Sequence, residues 1–398
     1  KNFAECGMIL GPVLGDYDSA YKFNILAFSL IDRFKSDRLK SSTFFIYATF
    51  ISHWKKHFSE GLKYYDLSIN YGMKTGDILH AFWSTYYKLD HLFSTGINLD
   101  DYKLKLDKAE ELIISHKTTL FIPILMMMKH VVNQFQSAYN LACENSILES
   151  ISKTNNMTAA FKFGQFNVMI NYILGNYEIA QKWVEYTERY LQAATGLFGT
   201  ADYLMFSSLC YIKKFEKQSE DKNNLLEKIN TNLKSLKVWS ENCPENFGHK
   251  YYIVAAELAR IQNNTLENIT DLYKKSLDSI APAEFINIKA VINEIIAEFW
   301  FSRSEKTIGN TFIKEAIYFY NLWGAYIKAD SLESKYSNFS NEINHLNSLS
   351  RKRLTGEAYI TKKTSNHSST LNLDIMSILK STQAISNEIK VDKLLKVL

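Results

Sequence analysis

Apolar side chains recur along this sequence at steps of three and four residues, which is the spacing of one face of an α-helix. The segment 16–34 shows the pattern most simply, and its stripe consists of Ala20, Phe23, Ala27, Leu30 and Phe34. Comparable segments follow at 43–58, 61–71, 78–93, 102–114, 120–135, 158–174, 177–194, 202–215, 225–239, 250–261, 269–280, 286–301 and 312–325. No segment alternates apolar and polar residues between hairpin turns, as strands do. The pattern therefore predicts an all-α fold.

A short motif occurs twice in the chain and indicates paired helices. The residues GDYDSA, from Gly15 to Ala20, return as GNYEIA from Gly175 to Ala180. In tetratricopeptide-type hairpins a glycine or asparagine closes one helix, and a small residue lets the next helix approach its partner closely. Small residues in this setting occur at Ala20, Gly61, Ala109, Ala180 and Ala316. We therefore expect residues 1–336 to form a tetratricopeptide-like, right-handed helical-repeat solenoid.

The C-terminal part of the chain has a different character. Residues 337–370 are rich in Ser, Asn, Thr and Lys, which is typical of a polar linker. An apolar stripe follows within 371–398, at alternating steps of four and three residues. Its members are Leu371, Ile375, Ile378, Thr382, Ile385 and Ile389. Because this spacing favours a parallel two-stranded coiled coil, we expect a signalling helix through which two copies of the chain form a homodimer.

Composition and charge narrow the function further. Only 4 prolines and 15 glycines occur among 398 residues, and both residue types interrupt helices. The formal net charge is only +4, from 46 basic and 42 acidic residues, and the sequence shows no concentrated basic stretch suited to a nucleic acid. We therefore expect the partners to be proteins or neighbouring domains of the same chain.

The cysteines and the apolar runs bear on location. The four cysteines are widely separated, which predicts reduced thiols, and they are Cys6, Cys143, Cys210 and Cys243. No apolar run is long enough to span a bilayer, and no secretory signal precedes the first cysteine. We therefore expect a cytoplasmic protein with no membrane span. Since the chain begins at Lys1, we also expect it to be a segment of a larger protein.

Two pairs of side chains could carry chemistry. His53 and His57 are four residues apart, so one helix would present both imidazoles to a metal ion. Glu294 and Glu298 have the same spacing, as paired catalytic carboxylates can. However, two lysines between the histidines oppose a dication, and such carboxylates are common on any polar helix stripe. The sequence therefore favours a segment without catalytic residues, cofactor or metal; the alternative is a metal-dependent helical enzyme that uses the two histidines.

Several stretches in the C-terminal third resemble one family of large signalling proteins. These stretches are FGHKY at 247–251, AAELAR at 255–260, NEIIAEFW at 293–300, AIYFY at 316–320, WGA at 323–325 and LESKY at 332–336. Three later stretches resemble the segment that enters a GAF domain in that family. They are Leu373-Asp374, KSTQAIS at 380–386 and DKLL at 392–395.

The family comprises bacterial and fungal sensor kinases of the two-component type. Its members share five regions: a serine/threonine-kinase-like domain, an AAA-type (STAND-like) ATPase, a tetratricopeptide-like region, a GAF domain and a sensor histidine kinase. The resemblance implies that this chain lies between the ATPase and GAF domains. It further implies a non-catalytic regulatory and protein-interaction module, which senses a partner or effector and relays it to the GAF and histidine kinase domains. No catalytic residue carries over, because the kinase and ATPase motifs lie outside the matched stretches.

Overall fold

The structure, a computed structural model, describes residues 1–117, 121–137, 141–217 and 221–336. Within these ranges the chain forms 17 α-helices and no β-strand, so the predicted all-α fold is confirmed. The helices are α1 Asn2–Leu10, α2 Tyr17–Arg33, α3 Asp37–Ile46, α4 Phe58–Thr75, α5 Ile78–Ser94, α6 Leu99–Ser115, α7 Ile122–Gln136, α8 Leu141–Thr154, α9 Met157–Ile173, α10 Tyr177–Glu188, α11 Thr200–Lys217, α12 Lys222–Asn242, α13 Pro244–Ile261, α14 Leu266–Asp278, α15 Ile286–Ser302, α16 Lys306–Trp323 and α17 Tyr326–Lys335.

Two predicted elements cannot be compared with this architecture. The polar linker 337–370 and the signalling helix 371–398 lie outside the described residues, and so do all six positions of the apolar stripe from Leu371 to Ile389. Among the helices of the described ranges, none combines the length and the apolar character that crossing a bilayer would need.

Every helix packs against the next one along the chain, as in a series of helical hairpins. Alternate helices also touch, so that α3 contacts α5, α9 contacts α7 and α11, and α11 contacts α13. The odd-numbered helices α9, α11 and α15 are buried around most of their circumference. A helix buried on all sides lies in the interior of a protein, so these helices form the centre of the molecule.

The five small residues singled out by the sequence all lie on even-numbered helices, and each is buried. Gly15 and Gly175 both have positive φ angles, of 76° and 82°. Each precedes the N-cap residue of a helix, which is Asp16 for α2 and Asn176 for α10. The Asp16 side chain accepts a hydrogen bond from the Ser19 N–H at 3.0 Å, whereas Asn176 makes no such capping bond. The two copies of the motif therefore have the same backbone turn, with different capping.

Replacing Ala20 or Ala180 by leucine is expected to destabilise the fold by about 1–3 kcal/mol, because a larger side chain must be forced between packed helices. The exposed fractions of these alanines are 1% and 0%, so no free space surrounds either side chain. Guanidinium unfolding of each variant measures the loss. Ala142 is exposed on α8, and Ala142→Leu is the matched control, expected to unfold like the parent. Equal stability of all three variants would contradict the expectation.

Segments that are far apart in sequence are joined by hydrogen bonds, which link α2 to α12, α6 to α17, and the residues after α5 to those before α15. The Phe285 N–H donates to the Thr95 carbonyl at 2.9 Å, and the Tyr326 hydroxyl lies 2.6 Å from Asp100 Oδ2. The Trp239 indole N–H donates to the Tyr17 hydroxyl at 2.8 Å. In an extended repeat array each unit contacts only its neighbours. Here the helices instead close on themselves around a filled centre.

Candidate functional site: a buried ionic centre

The α-helical structure is interrupted at the residues that place His53 in the interior. After α3, residues Tyr47–Ile51 form a π-helical turn and Ser52–Trp54 form a 3-10 turn. Turns of this kind change the direction in which following side chains point, and π-turns are frequent at functional sites. The His53 ring is fully buried, with ring-centre distances of 5.7 Å to His91 and 5.5 Å to Phe198.

His57, by contrast, lies at the start of α4, outside that interior. Its Nδ1 atom is 2.8 Å from Ser59 Oγ, and its Nε2 atom is 2.9 Å from Glu284 Oε2. The expectation that one helix presents both imidazoles is wrong, because no continuous helix joins them. In the ranges that the structure covers, no group of three or more His, Cys, Asp or Glu side chains is placed to hold a metal ion.

Ser59, His57 and Glu284 are hydrogen-bonded in series, in the order of nucleophile, base and acid that a catalytic triad has. Such a site also needs N–H donors that are free to bind an oxyanion. At the start of α4, however, the Phe58 N–H donates to Asn246 Oδ1 at 3.0 Å, and the Ser59 N–H donates to His57 Nδ1 at 3.4 Å. These donors hold the local structure together, so this series acts as a helix cap joined to Glu284.

Two ion pairs lie at the centre of the molecule, and both have fully buried lysines. Lys162 Nζ of α9 is 2.6 Å from Asp90 Oδ1 of α5. Lys250 Nζ of α13 is 3.4 Å from Asp202 Oδ1 of α11. Taking a charge out of water is costly unless it is paired, so each lysine and aspartate fixes the position of the other. We call these four residues, together with His53, His91 and His249, the ionic centre.

Lys250 is enclosed by aromatic rings as well as by its carboxylate. Its ammonium lies 4.5 Å from the ring centre of Phe285, 5.3 Å from that of Phe198 and 6.0 Å from that of Phe247. Cations are attracted to the faces of such rings. Burial nevertheless lowers the pKa of Lys250, and the Asp202 carboxylate opposes that shift. Burial likewise raises the pKa of Asp90, against the opposite effect of Lys162.

The three histidines of the ionic centre are held neutral. Burial lowers the pKa of His91 to about 3, and the nearby Lys162 charge adds to the effect. Burial also lowers the pKa of His53 and of His249, with His91 and Lys250 respectively contributing. Among the residues that the structure describes, neither ring nitrogen of His91 has a hydrogen-bond partner. A neutral imidazole without partners, next to an ammonium group, favours packing over proton transfer at neutral pH.

Gly199 makes room for this arrangement at the start of α11. A Cβ atom at this position would lie 2.7 Å from Lys162 Nζ and 2.7 Å from Gln165 Nε2. Contacts that short do not occur, so a side chain here would require the ends of Lys162 and Gln165 to shift. The ring centre of Phe198, one residue earlier, lies 4.6 Å from that of His91 and 5.3 Å from Lys250 Nζ.

Glu294 and Glu298, which the sequence suggested as a pair on α15, bind two different lysines. Glu294 lies 2.5 Å from Lys328 Nζ and accepts a hydrogen bond from Tyr320 at 2.7 Å, whereas Glu298 lies 2.9 Å from Lys213 Nζ. Burial raises the pKa of Glu294. Burial acts to raise the pKa of Glu298, but the charge and hydrogen bond of Lys213, together with the charges of Lys335 and Lys328, outweigh burial, and the net shift is downward. Each carboxylate therefore binds a neighbouring helix instead of forming a catalytic pair.

Residues from the family-like stretches make several of the bonds between helices. Besides Lys250 and Glu294, Glu257 of α13 accepts a hydrogen bond from Tyr273 of α14, and within α13 it lies 2.7 Å from Arg260. Trp323 is fully buried and packs 4.7 Å from the Phe135 ring. In the described part of the chain, these stretches thus supply contacts that hold helices together.

Asn246 fastens the irregular segment after α3 to α13. Its Nδ2 group donates to the carbonyls of His53 at 2.8 Å and Lys56 at 2.9 Å, while its Oδ1 atom accepts from the Phe58 N–H. The residue is completely buried. All three backbone groups would lose their partner together if the amide were removed.

Asn246→Ala is therefore expected to lower the free energy of unfolding by about 2–4 kcal/mol, since buried polar groups without partners are costly. Urea unfolding followed by far-UV circular dichroism measures the change. Asn230→Ala is the control, because that exposed amide makes a single bond to the Leu226 carbonyl one turn away. Similar losses for the two variants would show that Asn246 does not fasten the segment.

Sequence reasoning missed Asp90, Lys162, Asp202 and Phe198. A usable signal was present for Lys162, which interrupts the largely apolar stretch AAFKFGQF. A charge in such a stretch must be buried and hence paired. The sequence does not say with which partner, because the four elements involved are far apart along the chain.

Comparisons with known proteins add no relative. No family model matches the chain, no curated protein matches it, and no solved structure matches it.

Proposed function

We propose that this chain is a non-catalytic regulatory and protein-interaction module of a large signal-transduction kinase. In this proposal it lies between an ATPase and a GAF domain in the cytoplasm, and it relays the binding of a partner or effector to the GAF and histidine kinase domains. The proposal rests on one observation, which is that residues of the family-like stretches bind neighbouring helices. Lys250, Glu257 and Glu294 join helices, so the resemblance falls on residues that a shared scaffold would need.

The same observations support a tetratricopeptide-like course for the helices. Small residues such as Ala20 and Ala180 lie on even-numbered helices, and odd-numbered helices touch one another toward the interior. We therefore interpret the fold as a right-handed repeat solenoid whose turns have closed. Because the ionic centre fills the concave side, a partner would bind at the ends or the outer face of the array.

The experiment begins with the coding sequence on both sides of this chain, which should encode an ATPase upstream and a GAF domain downstream. Autophosphorylation of the complete protein is then compared with that of a protein lacking residues 1–336. A regulatory module should change the rate when it is removed. An unchanged rate, or flanking sequence that encodes neither domain, would overturn the proposal.

The metal-dependent enzyme is distinguished by elemental analysis of the purified chain. The proposal expects no stoichiometric transition metal. A metal bound in a one-to-one ratio, and lost in a His53→Ala variant that still folds, would favour the enzyme.

A further inference from the structure

The segment 280–287, which we call the strap, runs from the end of α14 into the first turn of α15 and covers Lys250. Its outer side is exposed at Ala281, Pro282 and Ala283. On its inner side Phe285 is fully buried, and the Phe285 ring is the nearest of the three rings around the Lys250 ammonium, at 4.5 Å. Lys250 itself is completely buried. The strap therefore separates this amine from solvent on one side of the ionic centre.

Phe285 has a backbone conformation that is unfavourable for its side chain. Its φ and ψ angles are 46° and 42°, in the left-handed region. Glycine, asparagine and aspartate adopt this region readily, whereas a bulky residue is strained there. Such strain persists only where the surrounding contacts hold the residue in place. Because Phe285 would relax once those contacts are broken, the strain favours opening of the strap.

The strap is fastened to the start of α4 and the end of α5 by polar contacts. The Phe285 N–H donates to the Thr95 carbonyl at 2.9 Å, and Glu284 Oε2 lies 2.9 Å from His57 Nε2. The His57 and Glu284 side chains are 33% and 25% exposed, so water can replace the bond between them. Lys162, in contrast, lies on α9 and is paired with Asp90 of α5, away from these contacts. The fastening of the strap can therefore break without uncovering Lys162.

Gly96 allows the strap to lie close to the end of α5. A Cβ atom at this position would lie 2.6 Å from the Ile286 nitrogen and 2.9 Å from the Asn287 nitrogen. Both are backbone atoms, so a side chain at residue 96 would push the strap outward. Gly76, which follows α4, has nearly the same φ angle, 80° compared with 82°. In the described part of the chain a Cβ atom there would meet nothing within 4 Å, so the two glycines separate a clash with the strap from backbone strain.

We propose that the strap opens locally, so that Phe285 moves away from Lys250 and the amine becomes a modification site, while Lys162 stays enclosed. The class of reagent that this site takes is an activated acyl donor. In that reaction the Lys250 nitrogen forms a bond to the acyl carbon, the bond to the leaving group breaks, and water takes the proton that the nitrogen loses. The opening requires neither a kinase nor a GAF domain, so it can fail while the proposed function stands.

Acetylation of the folded full chain with acetic anhydride, followed by mass spectrometry of the individual lysines, tests the opening. In the parent, Lys250 should react at least about tenfold faster than Lys162, because a local opening is more frequent than complete unfolding. In Gly96→Ala the ratio of the two rates should rise on the order of tenfold further, since the new methyl group holds the strap open. Gly76→Ala is the matched control and should keep the ratio of the parent.

A second variant weakens the fastening without altering the backbone. Glu284→Gln removes the carboxylate that lies next to His57, and it should raise the ratio of the Lys250 rate to the Lys162 rate about threefold. Glu305→Gln is its matched control, because Glu305 also precedes a helix and its side chain makes no capping hydrogen bond to α16.

Equal rates for Lys250 and Lys162 in the parent would overturn the proposal, because only complete unfolding would then expose either amine. A ratio that rises in neither Gly96→Ala nor Glu284→Gln would also overturn it. If Gly96→Ala does not fold, the ratio in Glu284→Gln decides.

Discussion

Lys162→Met is expected to lower the free energy of unfolding by about 3–5 kcal/mol, because it leaves the Asp90 carboxylate buried without a cation. The pair lies at the centre of the molecule, with the two side chains 0% and 3% exposed and 2.6 Å apart. Methionine has nearly the length of lysine, so the loss would reflect charge more than packing. Guanidinium unfolding monitored by tryptophan fluorescence gives the difference.

A second substitution separates the charge from the volume. Lys162→Met/Asp90→Leu removes both members of the pair and should recover most of the lost stability, since apolar replacement of a whole buried pair is often neutral. Lys153→Met is the control, because Lys153 pairs with Glu149 at the surface and surface pairs contribute about 0–1 kcal/mol. A loss below about 1 kcal/mol for Lys162→Met, or no recovery in the double variant, would show that the pair does not fix the centre.

Mild acid is expected to destabilise the chain steeply, because three neutral histidines are buried in the ionic centre. His53, His91 and His249 have lowered pKa values in the folded state, so below pH 6.5 the unfolded chain binds protons that the folded chain does not. Their contribution is complete above pH 6.5 and is lost as the pH falls below it. Each histidine changes stability by at most about 1.4 kcal/mol per pH unit, so the three together approach about 4.

Carboxylates in the interior act in the opposite direction. The pKa values of Asp90, Glu294 and Glu315 are raised by burial, so these groups take up protons in the folded state before they do so in the unfolded state. The slope of stability against pH therefore contains both effects. Lys162 and Lys250 lie next to His91 and His249, and their positive charges oppose protonation of these two rings.

Unfolding midpoints at several pH values measure the slope, and single variants assign it. His91→Leu should reduce the slope by about one proton, or 1.4 kcal/mol per pH unit, whatever its effect on stability at neutral pH. His116→Gln is the control, because His116 is exposed at the end of α6. If both variants keep the slope of the parent, the buried histidines do not cause the acid sensitivity.

The local apolar period was sufficient to predict most helices. The prediction failed where a helix bends or has few apolar residues. The stripe in 16–34 corresponds to α2, because burial on one side of a helix leaves a period that can be read directly. The prediction of one continuous helix over 43–58 is wrong. α3 begins at Asp37 and ends at Ile46, and a π-helical turn follows it. α8 and α17 were not predicted, because their few apolar residues give a weak stripe.

The ionic centre could not be predicted, for a reason that concerns distance along the chain. Asp90, Lys162, Asp202 and Lys250 lie on four helices, and His53 lies in an irregular segment that no periodic pattern describes. The sequence by itself determined that this protein is all-α, since scarce Gly and Pro and a helical apolar period act locally. Only the tertiary structure decided which charges meet and which helices far apart in sequence contact each other, because a buried ion pair depends on packing between helices that the order of residues does not specify.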